Sequence, residues 1–336
     1  MGYEDKMSEA DFRNICESGN ITALNSILNS VHPYKKTLIH VAAIYGNVEI
    51  MDTIIKFGIN INERDYEYAT PLIIASEYGN ANVVEYLLNH GAWCNEHDSG
   101  WDQGYHAKTA LMYACENDHI EIVKMLLKRR CNVNAISSLR LSAIDYAFNV
   151  EIIELLIKHG AHINHHENVN GISILSRACK KGRIDIIDCL LSNNIDVNYV
   201  KDMSCGNTAL FYACKYSQVD AVDRLLANEQ IDIHIKNIRE ETAFMYAVKS
   251  DSVPIMDRLI LYGAKINDQN FEGDTPLIIA VREKRYKAIE RLMALNCDVD
   301  IQNNKGETAL LIAFKSNNIK ITNILLSHDV GKDKKF

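Results

Sequence analysis

The chain of 336 residues is poor in the residues that punctuate β-rich folds, with 4 Pro and 16 Gly. That scarcity argues against a turn-rich sandwich or barrel. No apolar run approaches the roughly 18 residues needed to span a membrane. The opening MGYEDKMSEADF carries acids where a secretory leader needs a basic and then an apolar stretch. Nine cysteines form an odd set without a CxxC pair, which fits reduced thiols better than a disulfide framework. No P-loop, GxGxxG, GxSxG or HExxH string occurs, so no enzyme class is signalled and no cofactor is expected. The net charge of −8 argues against a generally basic nucleic-acid binder. The expectation is a soluble, cytoplasmic monomer, the nucleus left open, with neither nucleic acid nor membrane as partner.

A hydrophobic content of 47% and a charged content of 24% are those of a folded protein. The charge is uneven. Residues 1–100 hold 6 Lys and Arg against 14 Asp and Glu, and the rest of the chain is balanced. The dominant feature is self-similarity. TPLIIASEYGNANVVEYLLNHGAWCN, TALMYACENDHIEIVKMLLKRRCNVN and TPLIIAVREKRYKAIERLMALNCDVD place the same residue types in the same slots. Units begin at Thr37, Thr70, Thr109, Ser142, Ser173, Thr208, Thr242, Thr275 and Thr308, at spacings of 33, 39, 33, 31, 35, 34, 33 and 33. A degenerate unit from Ala10 precedes them.

Period, helix pattern and the closing V-N or I-N together resemble the ankyrin repeat, over residues 10–330. The departures are local. Pro follows the leading Thr only at Pro71 and Pro276, and the family's His survives only as His40. The resemblance implies an all-α fold, an ankyrin-type solenoid of stacked helix-turn-helix repeats with β-turn tips. The residues support this independently. Each unit holds one short apolar run and a second with apolar residues at i, i+3, i+4 and i+7. Neither helix can bury its stripe alone, so stacked neighbours must make the core.

The expected organisation is an N-terminal capping repeat over 1–36, nine repeats over 37–330 and a disordered tail over 331–336. Arg13 and Asn14 suit the first cap, and Lys320, Thr322 and Asn323 decorate the last helix. Two irregularities stand out. The connection over 96–108 is six residues too long and carries Trp101 and Tyr105. The repeat over 142–164 lacks three residues between its helices.

Candidate chemistry has bland explanations. His159, His162, His165 and His166 cluster, but no patterned Cys or acid completes a tetrahedral metal set, and His159 suits a helix C-terminus. Cys16, Cys115, Cys179 and Cys214 occupy one small, buried slot. The resemblance raises hydroxylation of the closing Asn62, Asn134, Asn164, Asn198 and Asn267, whereas turn chemistry assigns their side chains to backbone hydrogen bonds.

The family binds proteins mainly through its concave side, so the resemblance implies a non-enzymatic interaction scaffold or adapter. The alternative is a regulatory or inhibitory subunit that covers the active site of a partner enzyme. The helix positions carried over are Ile44 and Tyr45, Glu77 and Tyr78, and Glu116 and Asn117, followed by Lys180 and Lys181, and Lys215 and Tyr216. Lys249, Arg282 and Lys315 continue the series. This stripe is acidic and aromatic at first and basic in the last five repeats, which points to an acidic segment of a protein partner. Tyr66, Tyr68, Trp101, Tyr105, Leu139, Ile238 and Phe271 are the apolar anchors expected at the turn tips.

Overall fold

The computed structural model describes residues 9–29, 38–98, 107–164, 172–199 and 205–332. Twenty helices and no strand are present among them. The chain divides into two compact units, residues 1–167 and 168–336.

The first unit contains five helical pairs. They are α1 (Glu9–Ser18) with α2 (Ile21–Asn29), α3 (Leu38–Tyr45) with α4 (Val48–Lys56), and α5 (Pro71–Tyr78) with α6 (Ala81–Asn89). α7 (Ala110–Glu116) with α8 (Ile120–Lys128) and α9 (Ala143–Tyr146) with α10 (Val150–Lys158) complete them. First helices stack on first helices, and second on second. The second unit repeats the plan with α11 (Ile174–Lys181) and α12 (Ile184–Ser192), α13 (Ala209–Lys215) and α14 (Val219–Leu226), and α15 (Ala243–Lys249) and α16 (Val253–Leu261). α17 (Pro276–Arg282), α18 (Tyr286–Ala294), α19 (Ala309–Lys315) and α20 (Ile319–Lys332) close it. α20 thus runs two residues into the segment expected to be a tail.

In several repeats the leading Thr starts the first helix for a local reason. Thr70 Oγ1 accepts from the Ile73 N–H (3.4 Å), and Thr242, Thr275 and Thr308 repeat the bond at 3.3 Å. This satisfies one of the orphan donors of the first turn. The end of the first helix needs a left-handed residue, which Gly79 supplies at φ 80°. A Cβ there would lie 2.6 Å from the His119 ring. That ring reaches back from the next repeat to the Glu77 carbonyl (3.1 Å), and Asn80 likewise donates to the carbonyls of Ala43 and Ile44 (both 2.7 Å). At these junctions one repeat therefore satisfies orphan carbonyls of the repeat before it.

The closing Asn is a second inter-repeat tie. Asn62 Oδ1 accepts from the Trp93 N–H (2.9 Å), Asn134 from His162 (2.9 Å), Asn198 from Asp232 (2.8 Å) and Asn267 from Asp298 (3.1 Å). Asn95 makes the same bond to Asn132 (2.7 Å). The amide is spent on the neighbouring repeat, where turn chemistry placed it within its own turn.

In the repeat that begins at Ser142, α9 has four residues, and Ala147 turns extended at φ −71° and ψ 137°. The missing residues come out of the first helix and its turn. Asp145 fills the slot of the family His and accepts from the Ser142 N–H (2.9 Å), so the start of the shortened helix stays capped. The long connection is pinned at its base. Asp98 N–H donates to the Lys108 carbonyl (3.2 Å), and Asp98 Oδ2 accepts from the Tyr113 hydroxyl (2.6 Å). Trp101 and Tyr105 lie outside the described residues, as do His165 and His166.

The last pair differs from the polar cap suggested by Lys320, Thr322 and Asn323. Leu311 is 42% exposed, whereas Ile278 in the same slot one repeat earlier is 1% exposed. Phe314 is 64% exposed against 3% for Val281. These slots are buried elsewhere by the following repeat, and no further helical pair covers them among the described residues. The polar residues decorate α20 alone and leave the α19 face apolar.

Candidate partner-binding surface

The slot seven residues after each leading Thr or Ser lies on the exposed end of the first helix, where it can meet the slot one residue before that Thr or Ser. In four repeats these slots hold opposite charges. Lys249 pairs with Glu241, Arg282 with Asp274 (2.9 Å) and Lys315 with Glu307 (2.7 Å). Arg282 also reaches Glu307 of the next repeat (3.5 Å). In the first unit the polarity is inverted, with Lys108 paired to Glu116.

The acids are well buried in two cases, which gives these pairs weight beyond ordinary surface pairs. Burial raises the Asp274 carboxyl above its ordinary value, although Asn303 and Arg282 pull against it. The hydrogen bond from Lys315 lowers Glu307, with Asn303 contributing.

The basic stripe read from sequence therefore divides. Lys249, Arg282 and Lys315 are neutralised within their own repeats. For Lys180 and Lys215 the slot that supplies the acid elsewhere holds Ile172 and Asn207. No ion pair to Lys180, Lys181 or Lys215 forms among the described residues. Lys180 Nζ lies 5.2 Å from the centre of the Tyr216 ring and Lys215 Nζ lies 5.8 Å from it, so two cations share one aromatic. Beside them a groove of about 460 Å³ is lined by Lys215, Tyr216, Tyr246, Lys249, Glu283 and Arg285, among others.

The first unit carries the opposite sign. Glu77 and Tyr78 are exposed, and partial burial raises the Glu77 carboxyl, with the Asp98 carboxylate adding to the effect. Tyr45 is only half-exposed, and the Arg13 guanidinium lies 5.9 Å from its ring centre.

Of the expected turn-tip anchors, Tyr66, Tyr68, Leu139, Ile238 and Phe271 have exposed side chains. At the tips of Tyr66 and Tyr68, Ile238 and Phe271 the backbone is ordered by one device. Asp65, Asn237 and Asn270 each accept from N–H groups two and four residues ahead, an Asx turn. Successive tips are then tied, with Ile238 N–H donating to the Cys205 carbonyl (3.3 Å) and Phe271 N–H to that of Arg239 (2.9 Å). Ile238 and Phe271 thus project from a fixed backbone. Sequence reasoning missed Trp93, which is 62% exposed. Its slot holds Asn132, His162, Asp232 and Asp298 in other repeats, and that polar company was the available signal.

Among the histidines set aside as metal ligands, His159 has a structural partner. His159 Nδ1 is 2.8 Å from the Leu155 carbonyl at the end of α10. Cys16, Cys115, Cys179 and Cys214 are buried thiols.

Comparison with known families agrees with this architecture. A model of ankyrin repeats in three copies matches residues 13–98, 141–237, 225–303 and 244–335, and a model of ankyrin repeats in many copies matches residues 100–147. The chain belongs to the ankyrin repeat family. Over 125 residues it is 30% identical to an ankyrin repeat protein of fowlpox virus (strain NVSL). The match spans 37% of this chain and 24% of that relative, so this chain covers about a quarter of the relative's length. Ankyrin repeats are protein-interaction modules, and the family is generally non-enzymatic. No helix among the described residues is long and apolar enough to cross a membrane.

Proposed function

We propose that the chain is a non-catalytic adapter that holds protein partners on these exposed helix ends and turn tips. In this reading an acidic segment of one partner docks at Lys180, Lys181, Lys215 and Tyr216. The observation that carries it is the missing acid. Repeats with Glu241, Asp274 or Glu307 neutralise their own cation, while Ile172 and Asn207 leave Lys180 and Lys215 available to a ligand. A cation pair over an aromatic attracts carboxylates and raises the rate of encounter.

Ile238 and Phe271 supply the apolar anchors beside this charge, and Tyr66, Tyr68, Tyr78 and Leu139 supply those of the first unit. The acidic and aromatic face around Glu77 suits a partner of different character, which supports bridging over inhibition. The proposed setting is the cytoplasm or nucleus, where thiols such as Cys115 and Cys214 stay reduced.

A fluorescein-labelled peptide of ten glutamates is the probe. Anisotropy should rise on titration with the intact chain and fall with added salt. The variant Lys180→Glu/Lys215→Glu should lose that binding with an unchanged circular dichroism spectrum. Binding that survives in the variant contradicts the docking site. Cross-linking in cells followed by mass spectrometry should recover two partners, and recovery of one enzyme alone would favour inhibition.

A further inference from the structure

We propose that Cys94 and Cys131 form a redox-sensitive dithiol, which a peroxide converts into a disulfide joining two successive repeats. The placement follows from the Asn tie. Cys94 precedes Asn95, whose Oδ1 accepts from the N–H of Asn132 (2.7 Å), and Asn132 follows Cys131. The bond brings the residue before one Asn beside the residue before the other. At other junctions these two slots hold Ile61 and Ala92, Val133 and Ala161, or Ile233 and Ala264. Only the junction of Cys94 and Cys131 has cysteine in both.

Cys94 Sγ lies 3.8 Å from Asn95 Oδ1, the atom that accepts from the Asn132 N–H (2.7 Å), which brings it close to Cys131, the residue before Asn132. The neighbouring Cys131 thiol pulls Cys94 down to about 7, while Cys94 and then burial push Cys131 up. Their exposures are unequal. Cys94 is partly exposed and Cys131 is 5% exposed, so an oxidant in solution meets Cys94 first. Cys179 and Cys214 also lie in adjacent repeats but are fully buried, and burial raises both thiols. Those two have no route to solvent.

The chemistry balances in two steps. The Cys94 thiolate attacks one oxygen of hydrogen peroxide, the O–O bond breaks, and Cys94 becomes a sulfenic acid while hydroxide leaves and takes a proton. The Cys131 sulfur then attacks the sulfenic sulfur, and the S–O bond breaks as the S–S bond forms. The departing hydroxide leaves as water with the Cys131 proton. Two thiols are oxidised and one peroxide is reduced to two waters. The product links the chain just before Asp98 to the chain just after α8, so it closes a loop containing the base of the long connection.

The test is peptide mapping of the intact, folded chain after brief exposure to hydrogen peroxide and blocking of remaining thiols with N-ethylmaleimide. The expected result is a Cys94–Cys131 cross-linked peptide, with Cys179 and Cys214 recovered unlinked. Variants take residues that other repeats use in these slots. Cys94→Val should abolish the cross-link and leave Cys131 reduced. Cys131→Ala should leave a sulfenic acid at Cys94 that dimedone traps. Peroxide that leaves Cys94 unmodified, that oxidises it without linking it to Cys131, or that links it elsewhere overturns the proposal. So does an identical dimedone yield in the wild type and Cys131→Ala, because a resolving thiol must suppress the trapped species.

Discussion

Arg282 closes an ion pair with Asp274 at 2.9 Å across the start of its own repeat, while Lys215, at the equivalent position of an earlier repeat, has Asn207 in the slot that Asp274 fills for Arg282. The difference of one residue type decides which cations of the stripe are ion-paired within their own repeat. Asn207 accepts from Asn237 Nδ2 (3.0 Å), and Asp274 accepts from Asn303 in the same way (2.9 Å). An aspartate at 207 would therefore keep that acceptor role and add the missing charge, giving up the long donation from Asn207 Nδ2 to the Tyr246 hydroxyl (3.4 Å). Asn207→Asp should lower the association rate of the glutamate peptide by about 2–5-fold at low salt. Stopped-flow fluorescence reads the rate, and an unchanged value would show that Lys215 does not steer the ligand.

The pH dependence of the last repeats follows from two acids of opposite sign. Lys315 lowers Glu307 below its ordinary 4.5, so this pair contributes stability above that value and loses it as pH falls through the lowered value. Burial raises Asp274 above its ordinary 3.8, so its protonation favours the folded chain as pH falls. Lys315→Met should move the midpoint of the Glu307 carboxyl resonance upward in an NMR titration. It should leave the Asp274 midpoint in place, since Arg282 is untouched.

Asn198 spends both ends of its amide on the next repeat. It donates to the Gln230 carbonyl (2.6 Å) and accepts from the Asp232 N–H (2.8 Å). Asn198→Ala should cost about 1–3 kcal/mol in urea unfolding, with the lower end expected for an exposed turn. A neutral result would remove the inter-repeat role assigned to the closing Asn.

The repeat slots were legible because period and residue type recur together. The leading Thr, the left-handed end of the first helix and the closing Asn could each be placed before any coordinates. The helix ends of the stripe were legible too, since Lys180, Lys215 and Lys249 share one slot. Their differing electrostatics were hidden because the deciding residue lies eight positions back in the chain, outside the helix that carries the cation. Glu241 and Lys249 become neighbours only when the turn folds over the helix start. Cys94 and Cys131 were missed for a related reason. They occupy different slots of different repeats, and only the tie between Asn95 and Asn132 brings them together.

The exposed face of the last repeat gives a paired comparison. Ile278 and Leu311 share a slot, but only Ile278 is covered by a following repeat. Ile278→Ala should cost about 2–5 kcal/mol, and Leu311→Ala less than about 1 kcal/mol. Equal costs in urea unfolding would mean that the Leu311 face is covered in solution.

The central claim is that charge available to a partner is concentrated at Lys180, Lys181 and Lys215. Its most direct test compares two triple reversals by stopped-flow association of the glutamate peptide at low and high salt. Lys180→Glu/Lys181→Glu/Lys215→Glu should slow association and flatten its salt dependence. Lys249→Glu/Arg282→Glu/Lys315→Glu should lower thermal stability, because it leaves Glu241 and Asp274 unpaired, while association in the folded protein changes far less. Equal losses of rate in the two variants, or no loss in the first, would contradict the account.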